Sequence, residues 1–375
     1  MKKVISAVLL IASLVGLCSC AKTEKRYTAT SFEYFDTVTN IVGYAVSEKE
    51  FENTKNYIFF ELERYHRLYD IYNSYDGIAN IKTINSSREP VKVSEEIIDL
   101  IEYGKSIYSL TDGKTNIAMG SVLSIWHDCR EEGTRLPEMS ELVSASEHCN
   151  PDDIITDREN GTVFLADEKM SIDVGAVAKG YAAEMIAESL REKGISGYLI
   201  SIGGNVCAVG SKPDGGKWTV GIENPLGEGF CETIGVCDMS VVTSGSYQRY
   251  FEFNGVRYHH IIDPDTLFPK NRFVSVTVVS ANSALADALS TALFNMDIEQ
   301  GKALVSSFRG TYVMWVTADG EKVYSEGFEK IPDFPCLPKN YQEIIDKLPN
   351  LIYNFLCGHL SCFAFAATGG GKQRA

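Results

Sequence analysis

The chain has 375 residues, 45% of them hydrophobic and 23% charged, with a formal net charge of -15. That is the composition of a globular protein, long enough for one large domain or two smaller ones. No basic block of any length is present, which sets nucleic acid aside as a partner, because phosphate neutralisation needs clustered Lys and Arg.

At the start of the chain, Lys2 and Lys3 precede an apolar run over residues 4–17 that is too short to span a bilayer comfortably. The run ends in Leu17-Cys18-Ser19-Cys20, which is similar to the cleavage box of bacterial lipoproteins. Residues 1–19 are therefore expected to be a signal peptide, with Cys20 lipidated and residues 20–28 a tether at the outer face of the cell membrane. A plain signal peptide or a retained anchor helix are the alternatives. Cys129, Cys149, Cys207, Cys231, Cys237, Cys336, Cys357 and Cys362 form no C-x-x-C pair, so they read as thiols rather than a disulfide framework. Cys231 and Cys237 are the pair near enough in sequence to bridge.

Residues 27–44 alternate and are rich in Thr, Val and Phe, which predicts a strand. Ser47 with Glu50 makes a capping box opening a helix to about Tyr72. Residues 73–85 read as a polar loop, and Ser94 caps a second helix running to about Thr111. Residues 111–126 suit a loop wrapping a ligand before a short helix, and residues 131–157 are polar and peripheral. Residues 162–166 and 170–174 read as a hairpin.

A long helix follows over residues 176–193 and ends at Gly194. Residues 198–202 and 218–223 read as strands, with a tight turn at Gly203-Gly204-Asn205. Asn254-Gly255 is a strong hairpin signal between residues 250–253 and 257–262. A strand at 273–279, a helix at 283–296 and a hairpin across Asp319-Gly320 complete the pattern. Strands and helices interleave without a βαβ rhythm, so the expected fold is α+β with a mainly antiparallel sheet and packed helices. The main domain is expected over residues 29–330, followed by a tail, 331–375, whose apolar stretch 348–367 could pack on the domain, meet a membrane or be a non-native extension.

Several segments suit phosphate chemistry. Asp287 and Thr291 sit at i and i+4, on one helical face. A carboxylate and a hydroxyl so arranged suit Mg²⁺, which takes its remaining oxygens from water and phosphates. In Ser171–Ala182 an acid leaves a strand and Lys179 stands near a helix start, where N–H groups and the dipole favour anions. Taken alone this is an ordinary turn with a surface lysine, since no P-loop or GxGxxG is present. His259 and His260 end a hairpin strand and point to opposite faces, so one could serve as a base.

Together these segments resemble the ApbE family, the FAD:protein FMN transferases, from Tyr27 to about Phe328. The carrying residues are Asp173-x-x-Ala176-x-x-Lys179-Gly180-Tyr181-Ala182, Gly203-Gly204-Asn205, Thr243-Ser244-Gly245-x-Tyr247, His260-x-x-Asp263-Pro264-x-Thr266 and Ala286-Asp287-Ala288-x-x-Thr291. The resemblance implies one large T-fold-related domain that binds FAD with Mg²⁺. It implies transfer of the FMN moiety to a Thr or Ser hydroxyl of an acceptor protein, with release of AMP. Acceptors would be subunits of membrane electron-transfer complexes carrying a Ser/Thr-Gly motif.

By residue matching, Asp287 and Thr291 would ligate the metal through side chains and Ala176 through its carbonyl, with Ser290 where some members carry an additional aspartate. Phe35, Tyr75, Lys114, Thr115, Asn116, Asp173, Lys179 and Ile262 would contact FAD, and His260 would take the acceptor proton. Departures from the family pattern fall at Asp36 and Leu267, where glycine is usual, at Asn116, where aspartate is common, and at Ser290. Two other readings use overlapping residues: a metal-dependent FAD pyrophosphatase giving FMN and AMP, and a non-catalytic FAD-binding lipoprotein.

Overall fold

The computed structural model describes residues 23–333. The expected signal peptide, Cys20 and the apolar stretch 348–367 lie outside the described residues. The hairpin β1 (Lys25–Tyr34) and β2 (Thr37–Ala45) leads into α1 (Glu48–Tyr69), α2 (Ile81–Ser86), β3 (Val91–Lys92), α3 (Glu95–Leu110), α4 (Gly120–Glu132) and α5 (Met139–Ser146). Next come β4 (Ile154–Asp157), β5 (Thr162–Leu165), α6 (Ala178–Glu192), β6 (Tyr198–Ile202), β7 (Asn205–Val209), β8 (Trp218–Glu223) and β9 (Phe230–Val236). Then follow β10 (Ser240–Gly245), β11 (Tyr250–Phe253), β12 (Val256–His259), β13 (Phe273–Ser280), α7 (Ser283–Asn295), α8 (Ile298–Ser306), β14 (Tyr312–Thr317) and β15 (Lys322–Tyr324).

The main sheet has 8 strands in the order β1-β2-β6-β7-β10-β13-β14-β15, and every neighbouring pair is antiparallel. Alternation along each strand sends side chains to opposite faces. In β13, Val276 and Val278 join Leu289, Leu293 and Phe294 of α7 on one face. Val279 faces the other way, into a layer with Trp218, Val220 and Ile234 of the β8–β9 hairpin. Helices thus cover one face and a hairpin the other, the α+β architecture expected. No helix among the described residues is long and apolar enough to cross a membrane.

Several segments differ from the sequence expectation, each for a tertiary reason. Residues 27–44 are a hairpin, because the chain reverses at Phe35 and Asp36 with φ of 55° and 50°, a left-handed pair disfavoured for side chains other than Gly and Asn. Residues 73–85 contain α2, whose N-cap Asn80 accepts from the Thr83 N–H and is capped in return by the Thr83 hydroxyl. Residues 131–157 contain α5.

The expected hairpin of residues 162–166 with 170–174 does not form. β5 pairs instead with β3 and β4, and the side chain of Asn85 takes the place of a strand partner for Ile172. Its Oδ1 accepts the Ile172 N–H at 2.8 Å and its Nδ2 donates to the Ile172 carbonyl at 2.9 Å. α6 starts at Ala178 rather than 176, since the N–H groups of Val177 and Ala178 both bond the Val174 carbonyl. β12 ends at His259, earlier than Ile262, and Ile262 bridges Pro269.

β7, β9 and β10 were not expected as strands. Cys231 and Cys237 form no disulfide. They stand near the two ends of β9, roughly 20 Å apart at about 3.3 Å per residue, beyond the ~7 Å reach of a bridge.

Candidate active site

The charged part of the site is built where α6 meets α7. Gly180 lies in the first turn of α6, where backbone N–H groups have no partner within the helix, and its N–H donates to Asp287 Oδ2 at 2.7 Å. A side chain there would force the helices apart, since a Cβ on Gly180 would stand 2.3 Å from the Asp287 Cβ and 2.6 Å from the Ser283 carbonyl oxygen. The arrangement is reciprocal, because the Ser283 N–H opening α7 donates to Glu184 Oε2 of α6. Each helix thus places a buried carboxylate against the positive end of the other. Glu184 is further held by Arg191 at 3.1 Å.

Lys179 Nζ stands 3.7 Å from Asp287 Oδ2 and donates to the Gly175 carbonyl at 3.4 Å. Burial pushes the Asp287 carboxyl above its ordinary value, while Lys179 and the Gly180 N–H pull it back. A carboxylate in that position gains from a further cation. Thr291 is half-buried one turn further along α7, and Ala176 is half-buried just before α6. Ser290 is buried and committed elsewhere: its hydroxyl donates to the Asp287 carbonyl at 2.8 Å and meets Ser244 Oγ at 2.7 Å.

Among the described residues no cluster of three or more His, Cys, Asp or Glu side chains is placed to hold a metal. Asp287, Thr291 and the Ala176 carbonyl offer one carboxylate and neutral oxygens. That donor set fits a hard cation completing its shell with water and phosphate, the habit of Mg²⁺.

His260 follows β12, and its position fixes its chemistry. Both its backbone N–H and its Nδ1 meet the Arg249 carbonyl at 3.1 Å. A carbonyl only accepts, so in the neutral ring the proton sits on Nδ1 and Nε2 carries the lone pair. The surrounding protein, followed by the charges of Arg249 and Lys179, pushes the imidazole below its ordinary value, although the residue keeps a solvent-exposed edge. His260 is thus a neutral acceptor at physiological pH. His259 points inward and is buried, with Nε2 3.1 Å from the Lys270 carbonyl.

Beside this lies a cleft of about 280 Å³, lined in part by Tyr72, Asn85, His127 and Asp173. Asp173 in its wall is held in place: its N–H donates to the Ile117 carbonyl and its Oδ1 accepts the Gly175 N–H, both at 2.8 Å. His127 also lines a small recess with His260, so it borders both hollows. Phe35 and Tyr75 are half-buried and meet on opposite sides of His66. Phe35 stands edge-on to it at 5.7 Å and Tyr75 at 6.4 Å.

The loop Lys114-Thr115-Asn116 is tied into the same structure. Thr115 is buried, and its hydroxyl donates to the Ala288 carbonyl of α7 at 2.9 Å. Lys114 pairs with Asp265 and reaches the fully buried Asp263 at 3.5 Å. Asn116 donates from Nδ2 to the Cys149 carbonyl at 2.9 Å, a bond the common aspartate could not make. Ile262 is buried and its carbonyl accepts from Asn295 at 3.3 Å. Leu267 adopts φ 60°, the left-handed backbone that makes glycine usual there. It is held by its N–H to the Asp263 carbonyl and by the Trp126 indole donating to its own carbonyl at 3.0 Å.

His66, Tyr72 and His127 were not singled out from sequence. His66 and His127 are lone histidines on helices, and only the tertiary fold shows what they face.

Residues 35–315 match the profile of the ApbE family. An FAD:protein FMN transferase of Klebsiella pneumoniae (strain 342) is 31% identical over 271 residues, 72% of this chain and 83% of that protein. One from Treponema pallidum (strain Nichols) is 34% identical over 246 residues, covering 61% and 68%. The crystal structure of the ApbE protein from Thermotoga maritima superposes with a TM-score of 0.74 at 30% identity, covering 82% of this chain and 99% of that one. The flavin transferase ApbE of Vibrio cholerae gives 0.69 at 25% identity, covering 82% and 99%. The fold is thus that of a flavin-handling transferase. The chain belongs to the ApbE family.

Proposed function

We propose that this chain moves the FMN half of FAD onto a Ser or Thr hydroxyl of an acceptor protein, in a Mg²⁺-dependent reaction that releases AMP. One observation carries the proposal: Asp287 and Lys179 stand together at the α6–α7 crossing, and His260, within the field of Lys179, is tautomerically fixed to accept a proton. The acceptor oxygen attacks the phosphorus of the FMN half. The P–O bond to the AMP phosphate breaks, AMP leaves with the electron pair, and the hydroxyl proton passes to His260 Nε2. Lys179 offsets negative charge on the pyrophosphate, and Asp173 and the Lys114-Thr115-Asn116 loop hold the nucleotide. Mg²⁺, when bound, neutralises charge on the phosphoryl oxygens. Asp287, Thr291 and the Ala176 carbonyl would hold it. Ser290 supports Asp287 from behind.

Lipidation at Cys20 would set the domain at the outer face of the cell membrane, beside acceptors in membrane electron-transfer complexes. The test is incubation of the full chain in detergent with FAD, Mg²⁺ and an acceptor domain bearing a Ser/Thr-Gly motif. The expected result is an acceptor heavier by one FMN, equimolar AMP, and no product with EDTA. Free FMN and AMP beside an unmodified acceptor would replace transfer with hydrolysis.

A further inference from the structure

We infer that His66 is a positioning residue for the flavin nucleotide, fixing Phe35 and Tyr75 from two sides of one imidazole. The inference rests on the transferase reading only in taking Phe35 and Tyr75 as FAD contacts. The hydrogen-bond chain around His66 has a single possible direction. The Phe35 N–H donates to His66 Nδ1 at 3.2 Å, so Nδ1 carries the lone pair and the neutral ring bears its proton on Nε2. Nε2 lies 3.4 Å from the Tyr75 hydroxyl oxygen. That hydroxyl spends its own proton on Asp70 Oδ2 at 2.7 Å, so it accepts from His66.

The tie is needed because the turn it holds is strained. Phe35 and Asp36 are consecutive left-handed residues, φ 55° and 50°, without glycine. Contact between the Cβ and the following carbonyl disfavours that conformation, and such strain persists only where surrounding contacts over-determine it. Here the contacts are His66 on the Phe35 N–H and Arg249 Nη2 on the Asp36 carbonyl at 3.3 Å. His66 itself rides on α1, anchored by buried Leu62, Tyr65, Leu68 and Tyr69. The Tyr75 ring is steadied from its face by Arg67, 5.4 Å from the centroid. A rigid helix thus transmits its position to one aromatic residue on a hairpin turn and another on a loop.

Two rings that hold a planar ligand equally before and during reaction contribute uniform binding, which appears in KM and not in kcat. Loss of a part-buried hydrogen bond is worth about 1 kcal/mol, roughly fivefold, and release of the turn adds to it. With the full chain in detergent, His66→Ala is expected to raise both the FAD Kd and the KM about tenfold, with kcat within about twofold. His66→Asn, whose amide oxygen can still take the Phe35 N–H, is expected to recover to within about threefold of the parent. A loss of kcat at unchanged KM, or an Asn variant no better than Ala, overturns the inference.

If His66→Ala does not fold, His66→Asn and Tyr75→Phe decide the matter. Both cut the same bond, so their combined effect on FAD Kd is expected to fall short of the sum; full additivity overturns the inference. A parent chain that binds FAD without transferring or hydrolysing it would defeat the functional reading while leaving the Kd comparison intact.

Discussion

The two halves of the site are held in different ways. Around the α6–α7 crossing, charge is positioned by packing: Gly180 brings two helices so close that each caps the other with a buried carboxylate. Around Phe35 and Tyr75, the rings proposed to meet the flavin sit on a turn and a loop, joined by a hydrogen-bond chain through His66. Groups that act on developing charge must be placed tightly and stay desolvated. Groups that grip a planar ring need only the right distance, and a loop supplies it. Changes at the crossing should therefore strike turnover and folding, and changes at the rim should strike affinity.

The largest expected effect is at Asp287. Asp287→Asn keeps an acceptor for the Gly180 N–H but removes the charge. Turnover of FAD should fall by about 10²–10³, the scale for losing one preorganised electrostatic group, with little change in melting temperature. Steady-state AMP release and a thermal melt check both, and a melt that collapses along with activity would make Asp287 a structural residue. Next comes Gly180→Ala, whose new methyl must push α6 from α7. It should cost about 1–3 kcal/mol of stability, read in denaturant unfolding, together with activity. A variant as stable as the parent would mean that the crossing is loose.

A smaller effect tests the acid cluster on α6. Burial, then the neighbouring Glu184, raises the Glu188 carboxyl to about 7. An acid raised in the fold costs no stability below its unfolded value, near 4.3. The cost grows as pH climbs from there towards 7 and is complete above it. Glu188→Gln should therefore stabilise the chain at pH 8, by about 1 kcal/mol or a little more once solvent screening is allowed for, and change nothing at pH 4. Melts at the two pH values decide it, and an equal gain at both would point to packing instead.

The sequence carried the charged half of the site more plainly than the rim. Asp287 and Thr291 at helical spacing, and Lys179-Gly180 at a helix start, are local patterns with a local physical meaning. The antiparallel architecture was legible because Asn254-Gly255 and Asp319-Gly320 punctuate alternating runs. The hairpin at Phe35 and Asp36 was hidden, since nothing local says that two residues with side chains will turn left-handed. Residues 170–174 misled for the opposite reason: the strand-like run pairs Ile172 with the side chain of Asn85 and bridges Ser171 to Met119 instead of forming a hairpin. His66 and Glu184 gave no signal, because their partners lie 31 and 99 residues away in the chain.

The division between groups that carry the chemistry and groups that grip the ring is tested most directly at His260. FAD binding and FMN transfer would be measured on one preparation of the full-length His260→Ala variant. The account predicts an FAD Kd within about twofold of the parent and transfer reduced by about 10²–10⁴, the range for removing a general base. A variant that transfers FMN at the parent's rate, or that no longer binds FAD, would contradict it.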